Sequence, residues 1–261
     1  MTVATTGPTT TALVLAGSRG PGDPLAEHAG VSHKAMIEVG GRPMLARVLD
    51  TLAAAGMTRI AVAIERPELI EELRRAGALP ASATVEALPA QAGPSASVEA
   101  GLAALGAPLL VTTADHALLE PEWVRYFLAH APADAALAAA LAPAAAVMAA
   151  APDTKRTFLR FADGAWSGCN LFHLAGPEAA RIVALWREAE SLRKQPLKLV
   201  GRLGPWTAVR FALGVLTLPA ALDRLSRLAG ARAAVVELPF GRAAIDVDKP
   251  SDLELVRRLV G

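Results

Sequence analysis

The segment of residues 12–44 reads ALVLAGSRGPGDPLAEHAGVSHKAMIEVGGRPM. It opens with Ala12–Ala16, a short run without a polar residue, which is typical of a strand covered on both faces in a parallel sheet. Gly17 then ends the strand. The order of buried strand, glycine-bearing loop, lysine and second glycine turn indicates a phosphate site after the first strand.

The loop after this strand carries the groups that a phosphate needs. Gly17, Gly20 and Gly22 lack a Cβ atom, so the backbone can approach a ligand closely and present successive N–H groups to phosphate oxygens. Arg19 and Lys34 would supply the countercharge, the arginine as a two-pronged hydrogen-bond donor and the lysine as a mobile point charge. Neither the Walker pattern nor GxGxxG fits, and an ordinary glycine-rich loop with two solvated cations is the alternative.

Apolar strands and helical patterns alternate through the first half of the chain. This rhythm predicts an α/β fold with a mostly parallel sheet and helices on both faces. In such a sheet, ligands gather at the carboxyl ends of the strands. The predicted elements are strands over 12–16, 60–64, 84–87 and 108–113 and helices over 44–55, 67–76 and 95–105.

Length and composition limit the class of protein. With 261 residues, 53% of them hydrophobic, the chain can bury a full core, and we expect one domain over 11–261 after a disordered leader over 1–10. A net charge of +1 and an aromatic content of 4% disfavour nucleic-acid binding. The single cysteine, Cys169, and the lack of a signal-peptide pattern indicate the cytoplasm.

The middle of the chain has weaker patterns. Residues 134–151 are rich in alanine, and we interpret them as a strand pair. Residues 157–174, TFLRFADGAWSGCNLFHL, predict a hairpin with Asp163 and Gly164 at its turn. Asn170, on the second strand of this hairpin, is either a plain strand residue or a donor to a substrate hydroxyl group.

A helical pattern dominates residues 177–230, which we interpret as an insertion or lid on the sheet. Within it, the stretch 194–222 carries Lys194, Lys198 and Arg202 ahead of a run of apolar residues. That run is too broken to span a bilayer, which needs about 20 mostly apolar residues. Peripheral contact with a membrane or with a lipid-bearing acceptor is the alternative to a lid.

Carboxylates follow two apolar segments. Asp115 lies just past the predicted strand in LLVTTADHALLE, residues 109–120, where it is well placed to bind Mg²⁺ together with substrate phosphates. Asp246 and Asp248 lie two residues apart in FGRAAIDVDKPSDL, residues 240–253, so a short β segment would place both on one face. Helix capping is the alternative for Asp115 and for Asp248.

The segments LAGSRG and HKAMIEVGGRPMLARVLDTL resemble the N-terminal signature of the MobA-like nucleotidyltransferases, which have a three-layer Rossmann-like fold of the GT-A type. The closing segment is similar to the family pattern D-x-D/N-x-P-x-D-L. The resemblance implies that the loop wraps an NTP triphosphate, with contacts from Leu15, Ala16, Gly17, Ser18, Arg19, Gly20 and Lys34. It also implies base contacts from Gly93, Ser95 and Ser97. For Ser95, helix capping by itself is the alternative explanation.

The resemblance further implies a magnesium site at Asp115 and Asp248, with Asp246 as a possible third ligand, and acceptor contacts from Gly168 and Asn170. Arg19, Lys34 and Asp115 would be the catalytic residues. The implied activity is Mg²⁺-dependent transfer of NMP from an NTP, with GTP or CTP favoured, to a phosphorylated small-molecule or lipid-linked acceptor, with release of pyrophosphate.

Two other functions stay open from the sequence. One is a GT-A-type glycosyltransferase that uses an NDP-sugar. Against it, Asp115 is followed by His116 and Ala117 and forms no D-x-D motif. The other is a nucleotide-binding regulatory protein that has lost catalysis, which the altered loop over residues 21–32 would permit. The sequence does not indicate an oligomeric state.

Overall fold

Strand β1, Thr11–Leu15, lies inside an eight-stranded sheet in the computed structural model, which describes residues 8–18, 22–192 and 204–260. Ala12, Leu13 and Val14 are fully buried, as expected for a strand covered on both faces. The other strands of this sheet are β4 Arg59–Ile64, β5 Thr84–Pro89, β6 Leu109–Thr113, β7 Leu137–Pro143, β8 Leu159–Phe161, β9 Gly164–Leu174 and β10 Ala233–Glu237. A separate two-stranded ribbon consists of β2 Glu38–Val39 and β3 Arg42–Pro43.

The strand order is β10-β7-β9-β6-β1-β4-β5, and β8 pairs with β9. β1 pairs in parallel with both β4 and β6, β4 with β5, and β7 with β10. β9 runs antiparallel to its neighbours β6, β7 and β8. The sheet is therefore mostly parallel, as the alternating pattern predicted.

Helices cover both faces of the sheet. Because side chains alternate along a strand, Ala12 and Val14 pack into one hydrophobic cluster and Leu13 into another. The helices are α1 Pro24–His28, α2 Met44–Ala54, α3 Glu68–Arg75, α4 Pro94–Leu105, α5 Pro121–His130, α6 Ala144–Ala150, α7 Ala179–Ser191, α8 Pro205–Ala212, α9 Leu218–Ala229 and α10 Pro250–Val260. Residues of α2, α3, α5, α6 and α10 belong to the first cluster, and residues of α4, α7 and α9 to the second. This three-layer arrangement confirms the predicted fold class.

The alanine-rich segment differs from its prediction. It forms strand β7 and then helix α6, not a strand pair. The predicted hairpin is present as β8 and β9, but its turn is one residue earlier than predicted. Because Phe161 pairs with Gly164, the turn consists of Ala162 and Asp163, and Gly164 begins β9. Of the predicted leader, residues 1–7 lie outside the described residues. The Thr10 carbonyl accepts hydrogen bonds from the backbone N–H groups of Thr58 and Arg59, at 2.9 and 3.2 Å.

Helices are observed in the expected insertion, namely α7, α8 and α9. Residues 193–203, which include Lys194, Lys198 and Arg202, lie outside the described residues. No helix in the described part of the chain is long and apolar enough to cross a lipid bilayer.

Candidate active site

The loop after β1 is anchored by a carboxylate from the neighbouring strand. Ser18 donates its backbone N–H to both oxygens of Glu65, at 3.2 Å each, and its hydroxyl group to Oε1. Glu65 directly follows β4, so the parallel pairing of β1 and β4 brings the two loops together. Burial favours protonation of Glu65, but the hydrogen bonds from Ser18 outweigh it and lower the pKa of the carboxyl group. Ser18, the described loop residue after Gly17, is thereby held beside the strand ends.

A buried histidine holds the same carboxylate from the other side. The Nε2 atom of His33 lies 3.1 Å from Glu65 Oε1, and its Nδ1 atom accepts the backbone N–H of Ala35 at 3.1 Å. Because Nδ1 is an acceptor, the hydrogen-bond pattern assigns the ring proton to Nε2, which then donates to Glu65. His33 precedes Lys34, so this contact also fixes the backbone from which that lysine projects.

Lys34 joins the two carboxylates that the sequence placed in a metal site. Its Nζ atom lies 2.7 Å from Asp115 Oδ2 and 3.0 Å from Asp248 Oδ1. Burial alone would lower the pKa of Lys34, but the charges of Asp115 and Asp248 and their hydrogen bonds outweigh this effect and raise the pKa above 10.5. The lysine therefore stays protonated, and its ammonium group occupies the position of a cation between the two carboxylates.

Backbone contacts bring the two carboxylates together. Asp115 lies just beyond β6, and the N–H of Ala114 donates to the carbonyl of Leu15 at 2.9 Å. The N–H of Val247 donates to the Asp115 carbonyl at 3.1 Å, which places the segment before α10 against the end of β6. Helix α5 begins six residues after Asp115, at Pro121, so Asp115 does not cap it. Segments more than 100 residues apart in sequence thus meet at the lysine.

The donor set fits a magnesium ion shared with substrate phosphates. The buried Oδ1 of Asp115 has no hydrogen-bond partner among the described residues, and the Asp248 side chain is 64% exposed. The described ranges contain no group of three or more His, Cys, Asp or Glu side chains that could enclose a metal ion. Mg²⁺ is usually held by one or two carboxylates plus phosphates and water, so two aspartates suit it without a closed cage.

Asp246 faces a different partner from Asp248. It is buried, forms an ion pair with Arg156 and accepts a hydrogen bond from Asn170 Nδ2 at 2.8 Å. The expected β segment is absent, because a 3-10 turn over Gly241–Ala244 leads into extended chain, and the two aspartates do not share a face toward Lys34. Burial raises the pKa of Asp246 to about 6, although Arg156 lowers it, and Asp115 and Asp248 raise it further.

Asn170 lies at an irregular point of the sheet. Its backbone is left-handed, with φ +49°, and the pairing of β7 with β9 shifts register between Phe172 and Gly168. Asparagine tolerates this conformation better than most residues, and bulges often lie next to active sites because they redirect a side chain. Here the redirected side chain reaches Asp246. The predicted acceptor residues Gly168 and Asn170 thus lie on the strand that flanks the carboxylate group.

The predicted base contacts lie at the start of α4. Ser95 donates its N–H, at 3.2 Å, and its hydroxyl group to Glu190 of α7, and Ser97 Oγ accepts the N–H of Gln91 at 2.9 Å. The helix begins at Pro94 with Gly93 at the N-cap, so Ser95 lies inside the first turn and does not cap it. A cavity of about 390 Å³ opens here, lined by Ala92, Gly93, Ser95, Ala96, Arg187, Glu190 and Ser191.

Comparison with known proteins agrees with this geometry. Residues 12–235 match the model of the MobA-like NTP transferase domain. The chain belongs to this family. A comparison with curated protein sequences finds no significant match.

Solved structures resemble this MobA-like domain over nearly its whole length. A hypothetical transferase from Thermus thermophilus is 34% identical, with a TM-score of 0.79 over 94% of this chain and 100% of its own. A 4-diphosphocytidyl-2C-methyl-D-erythritol synthase from Anaerococcus prevotii shares the fold at 12% identity, with a TM-score of 0.60 over 97% and 98% of the two chains. A CMP:2-keto-3-deoxy-manno-octonic acid synthetase in complex with CTP shares it at 14% identity, with a TM-score of 0.55 over the same shares. The family and its neighbours place the chain among the transferases.

Arg19 and Gly20 of the MobA-like loop lie outside the described residues, so their triphosphate contacts stay predictions. Sequence reasoning missed three residues of the site, namely Glu65, His33 and Arg156. Glu65 could have been found, because it directly follows a predicted strand in a fold whose ligands gather at strand ends. Arg156 had no such signal, since it lies in a loop and meets Asp246 only through the fold.

His116 of the MobA-like domain is fully enclosed next to Asp115. Its side chain is 1% exposed, packs near Trp123 and has no hydrogen-bond partner for either ring nitrogen within the described residues. Burial lowers the pKa of His116 to about 4, while the charge of Asp115 raises it by less. A neutral ring without access to substrate does not suit a general acid or base.

The replacement His116→Phe should make the protein less sensitive to acid. The pKa of His116 is lower in the folded than in the unfolded state, so its contribution to stability is complete above pH 6.5 and is lost as the pH falls toward 4. At pH 5 the loss in the wild type is about 2 kcal/mol. Urea unfolding at pH 7.5 and pH 5 measures this difference. If the free energy of unfolding falls equally in both proteins between pH 7.5 and pH 5, folding does not lower the pKa of His116.

Proposed function

We propose that this MobA-like domain is a Mg²⁺-dependent nucleotidyltransferase of the EC 2.7.7 type. It transfers NMP from an NTP, with GTP or CTP favoured, to a phosphorylated acceptor and releases pyrophosphate. The observation that carries the proposal is the contact of Lys34 with Asp115 and Asp248, at 2.7 and 3.0 Å, in a cavity that Gly17 also lines. The two low-identity structural neighbours are by name synthases of cytidylyl compounds, which supports the same reaction class.

In the proposed reaction an oxygen of the acceptor phosphate forms a bond to the α-phosphorus of the NTP. The bond from that phosphorus to the bridging oxygen breaks, and pyrophosphate leaves with the electron pair. A phosphate monoester has its second pKa near 6, so the nucleophile is already ionised at neutral pH and needs no general base. This agrees with the enclosed, neutral state of His116.

The chain's own residues would act by position and charge. The N–H groups of the glycine loop and the Lys34 ammonium would hold the triphosphate and offset the charge that develops on it. Arg19 of the same loop would assist. Asp115 and Asp248 would hold Mg²⁺, which supplies further neutralisation of phosphate charge when bound. Asp246, as a third possible ligand, would first have to leave Arg156.

The acceptor would lie on the side of β9 where Asn170 and Gly168 stand. Helix α8 packs against the hairpin that β9 forms with β8, where the Phe211 and Phe161 rings lie 6.0 Å apart. It buries none of its residues and leaves Trp206 and Phe211 exposed, as is Leu213 just after it. We propose that this helix covers the bound acceptor, with contact to a membrane-borne, lipid-linked acceptor as the alternative. One buried, free cysteine agrees with a cytoplasmic enzyme.

A panel of nucleotides tests the proposal. Thermal unfolding is measured with ATP, GTP, CTP, UTP and UDP- and GDP-sugars, each with and without Mg²⁺, because a ligand that binds only the folded state raises stability by about 2.7 kcal/mol at 100 times its Kd. We expect a Mg²⁺-dependent shift with one NTP, followed by pyrophosphate release in a screen of sugar, polyol and lipid-linked phosphates. A shift with NDP-sugars only would favour the glycosyltransferase. NTP binding without turnover on any acceptor would favour the regulatory protein.

A further inference from the structure

Two adjoining cavities lead away from the carboxylate pair. The inner one, of about 30 Å³, is lined by the end of β1 and by Lys34 and Asp115, together with Ala35, Met44 and Ala114. The outer one, of about 230 Å³, is lined by Gly17, Ser18, Asp23, Pro24, Leu25, Lys34, Asp248, Lys249 and Pro250. Gly17 and Lys34 belong to both. A chain of phosphates that passes Gly17 would therefore extend from Asp115 into the outer cavity.

Lys249 is a cation of the outer cavity that the proposed reaction has not used. Its side chain is exposed, and the described residues show no ion pair or hydrogen bond to its ammonium group. Lys34, in contrast, already faces two carboxylates. The charge of Lys34 is thus largely offset within the protein, whereas that of Lys249 is available to a ligand.

The backbone of Lys249 is fixed although its side chain is not. Its carbonyl oxygen accepts hydrogen bonds from the N–H groups of Asp252 and Leu253, at 2.9 and 3.2 Å, where Pro250 opens α10. The side chain therefore starts from a defined point on the cavity wall, and its flexible four-carbon stem lets the ammonium follow a mobile anion. The lysine stands at the variable position before the proline in D-x-D/N-x-P-x-D-L, so the family resemblance assigns it no role.

We propose that Lys249 binds the β- and γ-phosphates of the NTP and stays on the pyrophosphate as it leaves. The reacting α-phosphate would then lie inward, at Lys34 and Asp115. The leaving group would lie outward, in the cavity of about 230 Å³ that Asp248 and Lys249 line. This inference rests on the proposed function. It adds that the two lysines act on different parts of the NTP. Lys34 would contact the reacting α-phosphate, and Lys249 would contact the leaving pyrophosphate.

Isothermal titration calorimetry of the full chain tests the inference. The proteins are the wild type, Lys249→Met, Lys249→Arg and the matched control Lys155→Met, and the ligands are GTP, CTP, GMP, CMP and inorganic pyrophosphate, all with Mg²⁺. Loss of one charge-assisted contact should weaken binding about tenfold. We expect this loss in Lys249→Met for pyrophosphate and for the NTP that binds, little change for the NMPs, and recovery of most of the affinity in Lys249→Arg. Lys155→Met should behave as the wild type does.

Several outcomes would overturn the inference. They are equal pyrophosphate affinity in Lys249→Met and the wild type, an equal loss for NMP and NTP, or an equal loss in Lys155→Met. Failure of the proposed function looks different, because the wild type then binds neither GTP nor CTP, while pyrophosphate still reports on Lys249. A wild type that binds none of these ligands overturns both. Unfolding of each variant without ligand checks that the exposed lysine has no role in stability.

Discussion

Replacing Asp115 with asparagine should lower the rate of pyrophosphate release about 10²- to 10³-fold, the range seen when one electrostatic stabiliser is removed from an active site. Asparagine keeps the size of the side chain and one oxygen, but it removes the negative charge beside Lys34. Asp115 combines a contact of 2.7 Å to the lysine with a buried oxygen, Oδ1, that has no hydrogen-bond partner in the described part of the chain. A carboxylate oxygen left without a donor is suited to a cation.

The measurement has two parts. Pyrophosphate release is followed with the acceptor found in the screen, and NTP affinity is measured with Mg²⁺ and with a chelator. In Asp115→Asn we expect the Mg²⁺-dependent part of the NTP affinity to shrink together with turnover. The exposed Asp153 offers a matched control, because Asp153→Asn makes the same chemical change at a residue that lines neither cavity beside Lys34. Unchanged turnover in Asp115→Asn would show that this carboxylate holds no metal in the reaction.

The sequence predicts where the first strand and Asp115 of this site lie. Ala12–Ala16 has no polar residue, and Asp115 lies two residues past a second predicted strand. Both strand ends therefore fall at the edge of a parallel sheet where ligands gather. Lys34 and Asp248 could be placed with them by family resemblance. The contact between Lys34 and Asp248 could not be derived from spacing, because the two residues lie 214 positions apart in the sequence.

The outer parts of the site depend on tertiary contacts that leave no local pattern. The two-residue repeat of a β strand predicts that Asp246 and Asp248 lie on the same face. In the structure Asp246 is instead buried in an ion pair with Arg156. The prediction of a strand pair over 134–151 is wrong because alanine occurs in both strands and helices. A run of alanines therefore shows no hydrophobic periodicity that would distinguish the two. The antiparallel insertion of β9 between β6 and β7 likewise follows from packing rather than from any one segment.

The replacement Lys34→Met should affect chemistry and metal binding in opposite directions. Methionine keeps much of the apolar stem but removes the ammonium that lies 2.7 Å from Asp115 and 3.0 Å from Asp248. Turnover should fall about 10²-fold, because the triphosphate loses a fixed positive charge. The two carboxylates, however, lose a cation that competes with metal. Without nucleotide, Mg²⁺ should therefore stabilise Lys34→Met against thermal unfolding more than it stabilises the wild type.

The two readouts separate a lysine that acts on substrate from one that only holds the fold. A purely structural lysine would leave a variant that is less stable at every Mg²⁺ concentration, with no gain from the metal. If Lys34 acts as proposed, its replacement leaves the negative charges of Asp115 and Asp248 without the cation between them. A divalent cation then relieves the repulsion between the two carboxylates. Melting temperatures across a Mg²⁺ titration of the wild type, Lys34→Met and Lys155→Met measure the difference. Equal stabilisation of all three by Mg²⁺ would mean that the Lys34 ammonium and the metal do not share the space between Asp115 and Asp248.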